Sequence, residues 1–143
     1  MSDKERVKVR IETIHKTDEG NFPIIKDANG TYKKIDDMHY LTYEYMDEEC
    51  ASRIKCLIKC NEKFAEVIGD GDNKYKLLFD RDVDHISKVD MGGYVLSLKQ
   101  HTNHISILES EDKVVVTINY ELYQGDDMTS ACDMKIHILR RIQ

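Results

Sequence analysis

The chain has 143 residues, 41% hydrophobic and 34% charged, enough to bury roughly 70% of its unfolded surface in one domain without a disulfide or metal staple. Its net charge of −6 opposes nonspecific attraction to nucleic acid or to an anionic membrane. No apolar run approaches the ~20 residues of a membrane-spanning helix, and the charged start Met1-Ser2-Asp3-Lys4-Glu5-Arg6 has no apolar segment behind it, so residues 1–143 are expected to form a single cytoplasmic domain of bacterial style.

The dominant period is two. Val7, Val9, Ile11 and Thr13 alternate with Lys8, Arg10 and Glu12, the pattern of a strand with one buried face. His15 continues the apolar parity of that strand. It is either a rim histidine or a group that meets a ligand's carboxylate. Asn29-Gly30 follows, and its local chemistry is that of a hairpin turn. Next comes the tyrosine-rich segment Tyr40-Leu41-Thr42-Tyr43-Glu44-Tyr45. Leu41, Tyr43 and Tyr45 compete with Tyr40, Thr42 and Met46 for the inner face, and periodicity leaves the choice open. Asp47 to Arg53 has room for one helical turn.

Further on, Ile54, Cys56, Ile58 and Cys60 alternate with Arg53, Lys55 and Lys59, and Tyr75, Leu77 and Phe79 with Lys74, Lys76 and Asp80. Asp84 and His85 fall in a charged stretch that reads as a solvated loop, and His101 and His104 around Asn103 read as a surface turn. The clearest alternation is late: Val114, Val116, Ile118, Tyr120 and Leu122 against Lys113, Thr117, Asn119 and Glu121. It repeats in Cys132, Met134, Ile136 and Ile138, with Arg140 on the same parity. Turn-forming Gly, Asn and Asp clusters, among them Asp36-Asp37 and Gln124-Gly125-Asp126-Asp127, recur about every ten residues, which suits hairpins and not crossover helices.

An open sheet of eight to ten such strands leaves two raw edges and an uncovered apolar face. With no helices to cover it, closure removes both faults. The expectation is therefore an all-β antiparallel meander closed into an 8–10-stranded barrel, favoured over a sandwich.

Gly30-Thr31-Tyr32, Tyr40-Leu41-Thr42-Tyr43-Glu44, the apolar strand Ile54 to Cys60 and Asn119-Tyr120-Glu121-Leu122 resemble the YwiB-like family, a group of small bacterial proteins. The likeness runs from about Val7 to Ile138. Cys60-Asn61 departs from it, since a basic residue and a glycine are expected there. The resemblance implies a calycin or lipocalin-like barrel and a cytoplasmic setting, places Gly30 inside one long strand at a bulge, and carries over no catalytic residue.

Chemical motifs are sparse. No nucleophile elbow, phosphate loop or dinucleotide fingerprint is present, and Asp70-Gly71-Asp72-Asn73 lacks the acid twelve positions on that a calcium loop requires. Cys50, Cys56, Cys60 and Cys132 lack zinc-site spacing and read as free thiols. No cofactor or metal is expected. The candidates for a ligand site are Tyr43, Glu44, Tyr120, Arg140 and His15. The inner face (Val7, Val9, Ile11, Ile54, Ile58, Leu77, Phe79, Val116, Ile118, Tyr120, Met134, Ile136) is branched and medium-sized, which points to a small lipophilic ligand as partner. The alternative is a ligand-free interaction module, a homodimer associating through Val115 and Leu139, or through the mixed strand Phe64 to Ile68. Neither reading involves nucleic acid or a membrane, and an enzyme is the least favoured.

Overall fold

The alternating segments form ten strands: β1 Glu5–Thr17, β2 Gly20–Ile35, β3 Met38–Asp47, β4 Ser52–Cys60, β5 Phe64–Asp70, β6 Tyr75–Asp80, β7 His85–Asp90, β8 Val95–Glu109, β9 Lys113–Gln124 and β10 Asp127–Leu139. The structure is a computed structural model that describes residues 5–47, 52–70, 74–90 and 93–140, and no helix occurs among them. Cys50 and most of the segment expected to form a helical turn lie outside the described residues.

All ten strands join one antiparallel sheet in the order β6-β5-β4-β3-β2-β1-β10-β9-β8-β7. Each strand pairs with its neighbour in sequence, and the first pairs with the last, from Lys8↔Leu139 to Lys16↔Ala131. The seam therefore falls in mid-chain. There β6 and β7 lie against one another without a ladder, making a nearly closed barrel. At the seam His85 Nε2 lies 3.7 Å from an Asp80 carboxylate oxygen.

The core is the single apolar face that alternation requires. Val7, Phe79, Val114, Ile118 and Ile136 have no exposed surface, and Val9, Ile58, Val116 and Ile138 are nearly as buried. Ile54, Leu77 and Met134 pack against them in part. The face of β3 is also settled: His39, Leu41 and Tyr43 are buried and Thr42 is exposed. Cys56, Cys60 and Cys132 are buried free thiols.

Three local readings are corrected. Gly30 is no hairpin turn. It lies in mid-β2, opposite Val7 on one side and Tyr43 on the other, with continuous register through both ladders, so no bulge occurs there either. Its glycine answers to crowding: a Cβ would stand 2.4 Å from the Thr42 carbonyl oxygen and 3.1 Å from Tyr43 Cβ. Only residues 29–32 of β2 pair with both neighbours. Earlier residues pair with β1 alone and later ones with β3 alone. Gly30 thus marks the place where the strand passes from one neighbour to the other, a role typical of strand glycines. His101 to His104 is likewise not a turn but the middle of β8, where the register shifts between Thr102 and His104. A bulge adds one residue without ending the strand. His85 is the first residue of β7 and is partly buried, whereas Asp84 accepts a 2.7 Å hydrogen bond from His101 Nδ1.

Candidate functional site

Three of the five sequence candidates meet in one place. Tyr43, Tyr120 and His15 line an interior cavity of about 240 Å³ together with Ile11, Thr13, Ile24, Lys26, Tyr45, Ile58, Val67, Tyr75, Leu77 and Met134. Strand parity explains the set. Thr13↔Ile24 and Ile11↔Lys26 are directly opposed pairs of β1 and β2, so all four side chains share the face of Ile11. Beyond residue 28, toward its start, β2 has no second partner, and this arm carries the half-exposed Ile24 of the cavity lining, with the half-exposed Phe22 two residues before it.

The hydroxyls inside are arranged around thiols. Tyr43 and Tyr75 lie beside the Cys56 thiol, and Tyr120 lies beside that of Cys132. Cys132 Sγ also lies 3.3 Å from His15 Nδ1 and 3.3 Å from Ser130 Oγ. Burial raises the phenols of Tyr43, Tyr75 and Tyr120 well above their ordinary values, so all three stay protonated. Burial also raises the Cys56 and Cys132 thiols and lowers His15. The walls are thus neutral and amphipathic, with aromatic faces and hydroxyl tips. Tyr43 and Tyr45 stack with ring centroids 6.3 Å apart, and Tyr120 meets Phe79 at 4.4 Å. The Tyr75 ring fits because its cross-strand partner is Gly69, where a Cβ would fall 2.2 Å from the ring.

The other two candidates lie elsewhere. Glu44 follows Tyr43 and therefore points to the outer face, where it is exposed, 3.7 Å from Arg53 Nε and 3.8 Å from Lys55 Nζ. It cannot orient a ligand inside. Arg140 sits just past β10 at the opposite end of the barrel. It donates from Nε to Glu5 Oε1 at 2.9 Å and stacks 5.4 Å over the Tyr32 ring. That end forms a separate cleft of about 510 Å³ lined by Lys34, Asp37, His39, Asn61, Glu62, Lys63, Ile107 and Glu109. Its buried pair is Tyr32 and His39, joined at 2.7 Å between the hydroxyl and Nδ1. Burial pushes Tyr32 up to about 12 and lowers His39. Lys34 and Glu109 pair at 2.8 Å across the cleft.

Sequence reasoning overlooked Lys26. Its amine lies 3.9 Å from the centroid of the Tyr45 ring, a cation–π contact at the cavity mouth. The signal was its place on the inner parity of β2, which becomes visible only when β2 is paired with β1. Among the described residues no group of three or more His, Cys, Asp or Glu side chains is placed to hold a metal ion.

The model of a family described as "Domain of unknown function (DUF1934)" matches residues 9–136, and the chain belongs to that family. The crystal structure of the ywiB protein from Bacillus subtilis is similar in fold, with a TM-score of 0.85 over 99% of this chain and 96% of that one at 20% identity. Among curated proteins none matches.

Proposed function

We propose that this DUF1934 domain is a small-molecule-binding barrel of calycin-like type that works in the cytoplasm and takes a small lipophilic ligand into the Tyr43–Tyr120 cavity. The observation that carries the reading is the cavity itself, about 240 Å³ of space inside the face that otherwise forms a packed core. A protein interior at ordinary density leaves few voids larger than a water, whereas this one is open where the exposed Ile24 and Lys26 line it. Its lining combines apolar walls with a few convergent polar groups, the usual composition of ligand sites. His15, Tyr43 and Tyr120 are the contacts from the sequence-derived set, with Lys26, Tyr45 and Tyr75 added. The test is native mass spectrometry of protein purified without denaturation. A reproducible bound mass of a few hundred daltons or less supports the reading, and protein that is bare in every preparation opposes it.

A second reading rests on the outer face. Leu108 is 72% exposed and stands directly opposite Val115 across β8 and β9, and Leu139 on β10 is 47% exposed. Exposed apolar groups of this kind are suited to association, here as a homodimer. A dimer in the same mass spectra, dissociated by Leu108→Glu, would favour it.

A further inference from the structure

The cavity holds one feature that a purely lipophilic ligand does not use. Its described lining contains one lysine, Lys26, and no aspartate or glutamate, in a chain that has 27 acids against 21 lysines and arginines. Lys26 makes no ion pair among the described residues, whereas its neighbour Asp27 is engaged by Arg10 at 2.7 Å on the outer face. The Lys26 amine is instead held over Tyr45 at 3.9 Å, in a cavity that four tyrosines line. An unopposed cation at the entrance of a neutral, aromatic-walled cavity selects a ligand with one negative charge and an aromatic body. The size is also bounded: about 240 Å³ lies below the ~300–1,000 Å³ of drug-sized sites.

We infer that the cavity takes a small aromatic carboxylate, its ring against Tyr45 and Tyr75 and its carboxylate at Lys26. This rests on the binding reading above and adds the charge and class of the ligand.

The probes are 3-phenylpropanoate and its neutral amide, of nearly equal shape, titrated into the full chain by calorimetry at low salt. The acid should bind about tenfold tighter than the amide, roughly the contribution of one charge-assisted hydrogen bond at a half-exposed site. Lys26→Met should remove that difference while leaving amide binding in place, and Lys26→Arg should keep it. Lys26 is exposed, so neither variant should disturb folding, which circular dichroism checks. Equal binding of acid and amide to the wild type, or a preference that survives Lys26→Met, overturns the inference of an anionic ligand and leaves the binding reading standing. If neither probe binds at millimolar concentration, the aromatic-carboxylate inference is overturned, and a mass retained in the native spectra of the same protein would keep the binding reading standing.

Discussion

Replacing Gly30 with alanine tests the interlock of β1, β2 and β3. The added Cβ would lie 2.4 Å from the Thr42 carbonyl oxygen, 3.1 Å from Tyr43 Cβ and 3.3 Å from Val9 Cγ2. The nearest atom is backbone in a paired strand, Thr31↔Thr42 being adjacent in the same ladder, so it cannot rotate away. Overpacking of this kind costs about 1–3 kcal/mol, and the stiffer unfolded chain of alanine returns ~0.4–1 kcal/mol. A net loss of about 1.3 kcal/mol is expected, equivalent to about 3–5 °C in Tm for a domain of this size. Urea unfolding followed by circular dichroism measures it. Gly125 is the control: at φ +66 with nothing within 4 Å of its Cβ, it should accept asparagine at small cost because asparagine tolerates that backbone region. A Gly30→Ala protein as stable as the wild type would refute the crowding argument and the register that produces it.

Phe79→Ala should cost ~3–5 kcal/mol, because the ring is fully buried against Tyr120; an equilibrium loss below 1 kcal/mol would contradict the core assignment. Glu44→Gln should change stability by no more than ~0.5 kcal/mol and leave any retained ligand in place, and loss of that ligand would return Glu44 to the site. Burial lowers His15 and His39 below their ordinary 6.5. The unfolded chain therefore takes up more protons just below that value, and stability should fall as pH drops from about 7 toward 5. His39→Gln should flatten the slope, and stability that rises on acidification would contradict it. Cys56, Cys60 and Cys132 should resist iodoacetamide in the native protein and react once it is unfolded in urea, since all three are buried and their thiols are raised, Cys60 to about 12. Peptide mapping reads each site separately.

Much of the barrel was legible because a strand with one buried face writes its inner residues at every second position. Val7-Val9-Ile11, Tyr75-Leu77-Phe79 and Val114-Val116-Ile118-Tyr120 all lie where alternation puts them. Turn chemistry was legible where chain reversal needs a special backbone, as at Asp36 (φ 55) and Gly125 (φ 66). It misled at Gly30, because a glycine demanded by a close approach across strands looks the same in sequence as one demanded by a turn. The bulge in β8 left no local signal. Its effect is to add one residue, which shifts parity between Thr102 and Ile105, both buried. The face of β3 was ambiguous because both parities carry tyrosines. Lys26 was hidden for a related reason: Phe22-Pro23-Ile24-Ile25 is apolar on both faces, so only pairing with Thr13 and Ile11 decides where the lysine points. Arg140 had the right parity, but parity does not say at which end of a barrel a residue lies.

The most direct measurement compares native mass spectra of the wild type and Ile24→Trp, purified from the same cells. Ile24 lines the cavity and is 44% exposed at its mouth, so a larger ring there should obstruct entry without unfolding the barrel. A small bound mass in the wild type that is absent from Ile24→Trp is the expected result. The same mass retained by both proteins, or by neither, would contradict a ligand held in this cavity.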